Sequence, residues 1–196
     1  MAPARAALQP LLNAHEPAPA LAVDRHGNLL ASNRMVPLLL QGLPAALRAP
    51  PINVLRTTLH PQGLAPQIAN LPAWRAHVLA RLQRQAATTG DAVLARLFDE
   101  LQALPLPANV ATKVAAKMAT KMAAQASTEN HDDWAAPLTL TTPLGTLNFI
   151  TTVTVFGAPH DVTLSELAVE SLLPAGAATT ATLRAMHATL GCAAFI

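Results

Sequence analysis

The stretch Pro137-Leu138-Thr139-Leu140-Thr141-Thr142, Pro143-Leu144-Gly145, Thr146-Leu147-Asn148-Phe149-Ile150-Thr151-Thr152-Val153-Thr154-Val155-Phe156 decides the fold. It reads as two strands around a Pro-Leu-Gly turn, with Leu147, Phe149, Thr151, Val153 and Val155 on one face, because side chains alternate across a pleated strand. Downstream, Glu166 to Leu173 alternates Leu167, Val169, Ser171 and Leu173 and is either a fifth strand or a helix beginning at Thr163. Pro174 and Gly176 end it, and Ala177 to Leu190 reads as helix. Far upstream, Pro19 to Asn33 repeats the hairpin signature. Ala20-Leu21-Ala22-Val23-Asp24 and Leu29-Leu30-Ala31-Ser32 flank Arg25-His26-Gly27-Asn28, where Gly27 and Asn28 tolerate the positive φ of a tight turn. Two hairpins and one strand separated by helices predict an α+β architecture, an antiparallel sheet of about five strands with helices on one face.

The helices between the hairpins carry start and stop signals. Pro37 and Pro44 break Arg34 to Leu47 into short pieces, and Pro50-Pro51 closes them. Asn53 is a cap for a short helix through Thr58 that stops before Pro61. From Pro72 the apolar residues Trp74, Val78 and Leu82 recur every four positions, with Arg75, Arg81 and Arg84 on other faces, up to Thr88-Thr89-Gly90. Asp91 caps a second helix whose stripe is Val93, Leu94, Leu97, Phe98, Leu101 and Leu104, closed by Pro105 and Pro107. Leu106 to Ala136 is a variable Ala/Lys-rich connection, read as a helix with Val110, Val114, Met118 and Met122 beside Lys113, Lys117 and Lys121.

A chain of 196 residues, 52% hydrophobic and 12% charged, fits one domain spanning 1–196 with a full core. Aliphatic residues must fill that core, since there are no Tyr, two Trp and four Phe. No apolar run is long enough to span a bilayer, and polar residues interrupt the N-terminus, so the expectation is a cytoplasmic chain without membrane contact. A net charge of +2 does not draw it to phosphate backbones. The lone Cys192 has no partner for an internal disulfide.

The search for chemistry returns little. The glycines are scattered, so no loop cradles a phosphate, and no serine stands in a nucleophile elbow. His131-Asp132-Asp133, His160-Asp161 and Asp24-x-His26 lack the ligand spacing of a metal site, while His60 and His77 suit the edge of a core better than general-base work. These readings predict no enzyme, no cofactor and no metal. The helix pair across Gly90 has the outline of a helix-turn-helix, but its second helix sets Asp91, Asp99 and Glu100 against Arg96 alone, which suits packing and not DNA.

Several strings in order resemble one family. Leu12-Asn13-Ala14-His15-Glu16-Pro17, Pro19 to His26 and Ala31-Ser32-Asn33-Arg34 are similar to the start of the C-terminal domain of MmyB-like bacterial transcription regulators. Asn53 to Pro66 with Trp74-Arg75-Ala76-His77 looks like the central signature, and Thr151 to Gly157 with Asp161 to Leu167, Glu170 and Ser171 looks like the closing one. The resemblance implies a PAS-like sheet-and-helix sensor that, in the family, follows an XRE-type helix-turn-helix and holds a fatty-acid-like ligand. It favours Glu166 to Leu173 as a strand. Since it begins almost at Met1, the expectation is a chain without the DNA-binding helices and without direct nucleic-acid contact. The ligand site expected is an aliphatic cavity between the sheet face of Leu147, Phe149, Val153 and Val155 and the helices bearing Trp74, Val78, Leu82, Leu97, Phe98 and Leu101, with Arg56 as the carboxylate contact. A homodimer is expected. The alternative is a ligand-free interaction module that pairs with itself or with full-length XRE-type regulators.

Overall fold

The computed structural model describes residues 2–108, 110, 137–155 and 167–192. Its elements run α1 (Ala2–Asn13), β1 (Ala20–Val23), β2 (Leu29–Ser32), α2 (Met35–Leu39), α3 (Ala45–Arg48), α4 (Val54–Leu59), a 3-10 turn at Ala65–Gln67, α5 (Leu71–Thr89), α6 (Ala92–Ala103), β3 (Leu138–Thr142), β4 (Gly145–Val155), β5 (Ala168–Pro174) and α7 (Ala177–Cys192). Most of the expected helix within Leu106 to Ala136, and all of His131-Asp132-Asp133 and His160-Asp161, lie outside the described residues; of that segment residues 106–108 and 110 are described, and Val110 is buried.

The strands form one antiparallel sheet in the order β2-β1-β5-β4-β3. Both hairpins fall where the turn chemistry puts them. Gly27 takes φ 79° between β1 and β2, and Gly145 takes φ 117° at the start of β4. β5 threads between the hairpins: Leu21 faces Glu170 on one side, and Val153 faces Glu170 on the other. The first hairpin thereby joins the second through the central strand.

Local signals also fix the helix ends. The Asn53 side chain accepts from the Arg56 N–H at the start of α4, and that of Asp91 accepts from the Val93 N–H at the start of α6. Gly90 closes α5 at φ 64°, the left-handed cap that a side chain resists. Two neighbouring helices are therefore welded by a two-residue link. The His26 ring hydrogen-bonds the Asp91 carboxylate at 2.8 Å, which pins the β1–β2 turn to that link. This hydrogen bond is the main reason the Asp91 carboxyl titrates below its ordinary range.

The main core lies between the sheet and the helices. Phe149, Leu147 and Leu140 from the strands meet Leu71, Trp74, Val78 and Leu82 of α5, Leu94, Leu97 and Leu101 of α6, and Leu183 of α7. α6 is a packing helix, although Val93 at the margin of its stripe stays 44% exposed. The architecture is the α+β layering that the sequence predicts, with one addition. α1 covers the opposite face of the sheet, where Leu8 and Leu12 pack on Ala20, Ala22, Leu167 and Val169. Because β1 is buried on both sides, its four residues are all apolar and all inaccessible.

A polar hub holds α1, β1 and α2 together. The Asn33 side chain is 1% exposed; its oxygen accepts from the Ala20 and Met35 N–H groups while its amide donates to the Leu12 and Ala18 carbonyls. The Leu12 carbonyl also accepts from the His15 N–H, and the amide adds a second bond to it.

Candidate functional site

A hollow of about 90 Å³ lies between the inner face of the sheet and the layer formed by α2, α4 and α5. Every strand contributes to one wall: Leu29, Leu21, Glu170 and Leu172, Thr151 and Val153, and Leu138 and Leu140, in sheet order. Val36 and Leu39 of α2, Leu55 and Thr57 of α4, and Trp74, His77, Val78 and Arg81 of α5 build the other.

The polar groups of this lining are few, and most are engaged. The Thr57 and Thr58 hydroxyls donate to the Asn53 and Val54 carbonyls at 2.9 and 2.7 Å. Arg81 Nη2 donates to Glu170 Oε1 at 2.6 Å. The Trp74 ring stacks on His77 with centroids 5.8 Å apart, and its buried Nε1–H finds no acceptor among the described residues. A buried donor left this way costs ~1–3 kcal/mol. The lining is thus an apolar surface with a paired charge at one side and, among the described residues, one buried side-chain donor without an acceptor.

The residues expected from sequence do not all gather at the hollow. Trp74, Val78 and Val153 stand on the wall of the hollow. Leu82, Leu97, Leu101, Leu147 and Phe149 are buried in the packed core behind it, and Phe98 packs against that core from its edge. Val153 and Val155 continue the Leu147–Phe149 face to the edge of a groove that they share with Arg81, Leu82 and Gln85 of α5, and are 45% and 61% exposed. Arg56 stands elsewhere. Its guanidinium binds both oxygens of Glu100 at 2.5 and 2.7 Å, joining α4 to α6, and this pair raises the Arg56 pKa and lowers that of Glu100. His60 is used locally, its Nδ1 accepting from the Gln62 N–H.

Sequence reasoning did not single out Leu21, Leu29, Thr151, Arg81, Glu170 or Leu172 as wall residues. The two charged ones had a weak signal: Arg81 lies three positions after Val78 and so borders the Trp74–Val78–Leu82 stripe, and Glu170 is the one charged residue of its strand.

Outside this hollow, an adjoining groove of about 280 Å³ runs past Val23, Arg25, Gln85, Val155 and Leu167. Among the described residues no three His, Cys, Asp or Glu side chains gather as a metal would need, and no helix is long and apolar enough to cross a membrane. Among curated proteins no relative matches the chain. A family model does, over residues 4–186, and with nearly the whole length covered the chain belongs to the MmyB-like transcription regulator ligand binding domain family.

Proposed function

We propose that residues 1–196 form one effector-sensing domain that takes an apolar small molecule, such as a fatty acid, between the sheet and the α2–α4–α5 layer. The observation that carries this reading is the hollow itself, walled by aliphatic side chains from all five strands and with almost no free polar group. Such a lining rewards an acyl chain by about 0.8 kcal/mol for each methylene removed from water. Its few polar groups are mostly engaged within the protein, which suits an apolar guest better than a sugar or a nucleotide.

Size sharpens the reading. An engineered apolar cavity of about 150 Å³ takes benzene, so 90 Å³ accommodates only part of an acyl chain. A longer guest must extend into the adjoining groove past the residues the two share, or part the walls and so change the spacing between α5 and the sheet. That coupling is what a sensor requires, since a ligand alters output only through different affinities for two conformations or assembly states. The reading is of binding without turnover, in a cytoplasmic homodimer that serves transcription regulation as a sensor and makes no direct nucleic-acid contact through this chain.

Native mass spectrometry of the purified protein tests it. A retained adduct of fatty-acid mass, removed by delipidation and restored by added fatty acid, is the expected result. A protein that is empty as purified and stays empty with added fatty acids refutes it, and co-purification with an XRE-type regulator would then support the interaction module.

A further inference from the structure

The hollow and the outer groove share Leu55, Arg81, Val153 and Glu170. The Arg81–Glu170 ion pair therefore stands at the boundary between them. Arg81 is the one Arg or Lys on the wall of the hollow among the described residues, and Glu170 is the one carboxylate. Their side chains are 39% and 17% exposed, so the cation is within reach of the groove while its partner is held against the sheet. Arg81 projects from α5 and Glu170 from the central strand β5.

We propose that Arg81 is the head-group anchor for an amphipathic carboxylic acid whose tail occupies the hollow, and that Glu170 is the internal competitor the ligand carboxylate displaces. The inference rests on the function proposed above. Its physical basis is an exchange of like for like: a carboxylate already satisfies the guanidinium at 2.6 Å, and an incoming carboxylate offers the same charge and the same two acceptors. Breaking the resident pair costs little because a partly exposed ion pair contributes ~0–1 kcal/mol. Glu170, once released, borders the groove and regains water there. The tail supplies the net affinity and the exchange supplies selectivity for an acid over a neutral amphiphile. The same exchange unties α5 from β5, so occupancy is converted into a change at the sheet–helix seam.

Calorimetric titration with decanoate and with decanol, which share a tail and differ in the head, tests the proposal in the intact chain. Wild-type protein is expected to prefer decanoate. Glu170→Gln should tighten decanoate by about threefold to fivefold, and Arg81→Gln should weaken it by about tenfold or more, with decanol changed by less than about twofold in both. Arg81→Met provides a second removal of the charge that keeps the apolar stem, with the same result expected. Decanoate affinity unmoved by loss of Arg81, or acid and alcohol shifted alike by Glu170→Gln, would overturn the anchor while leaving the sensor reading intact. Binding of neither amphiphile to the wild type would overturn both.

Discussion

Replacing Glu16 by Gln removes one charge from a side chain that is 7% exposed and tied to two other elements. Its carboxylate accepts from Arg34 Nη2 at 2.5 Å and from Arg34 Nε at 3.2 Å, and from the Nε2–H of His187 on α7 at 2.7 Å. The proton on Nε2 that this last bond requires leaves that nitrogen nothing to accept with, so Arg34 Nη2, 3.2 Å away, lies beside it without a bond. Led by the Arg34 hydrogen bonds, these partners pull the Glu16 pKa from 4.5 down to about 2. At about 1.4 kcal/mol per unit, that difference caps the contribution near ~3 kcal/mol. With Arg34 58% exposed and screened by solvent, ~2 kcal/mol is the expected loss for Glu16→Gln at pH 7. A carboxyl whose folded pKa is depressed stabilises fully above its unfolded pKa and loses that advantage as pH falls through the folded one. The gap between wild type and variant should therefore be flat from pH 7 to about 5.5 and shrink by more than half by pH 3. Urea unfolding of both proteins across that range measures it. A gap below about 0.5 kcal/mol at pH 7, or one that keeps its size down to pH 3, would refute the reasoning.

Gly63→Ala places a Cβ 2.1 Å from the Thr57 carbonyl oxygen, a backbone atom with no freedom to withdraw, so a loss of ~2–4 kcal/mol or failure to fold is expected in thermal melts. Asn33→Ala leaves the Ala20 and Met35 N–H groups and the Leu12 and Ala18 carbonyls without their buried partner; ~2–4 kcal/mol should be lost, with α1 amides exchanging faster in hydrogen exchange. Phe149→Ala empties the centre of the main core at a cost of ~3–5 kcal/mol by denaturant unfolding, while Val155→Ala, on the exposed end of the same strand face, should cost less than ~1 kcal/mol.

Much of the fold was legible because its boundaries are made by short-range chemistry. Gly27 and the Pro143-Leu144-Gly145 turn define the hairpins, and Asn53, Gly90 and Asp91 define helix ends through their own side chains or dihedral freedom. α1 was not legible, since Pro3, Arg5, Gln9 and Pro10 blur its apolar stripe and two of its partners, Leu167 and Val169, lie at the far end of the chain. Strand alternation assigns Val153 and Val155 to the same face as Phe149, but periodicity carries no information on where helix and sheet close together and where a groove stays open between them. The charged residues follow the same logic. Arg56 meets Glu100 and Arg81 meets Glu170 at separations of 44 and 89 residues, and no local pattern encodes which cation turns toward the sheet. The candidate site was thus readable as an apolar helix stripe facing a strand face, while its polar rim required the tertiary structure.

A crystal structure grown with terminally brominated decanoate locates the guest by the anomalous scattering of bromine. The account expects a bromine peak walled by Leu140, Trp74, Val78 and Leu172, with the carboxylate toward Arg81. Bromine confined to the surface, beside a hollow closed by the protein's own side chains, would contradict it.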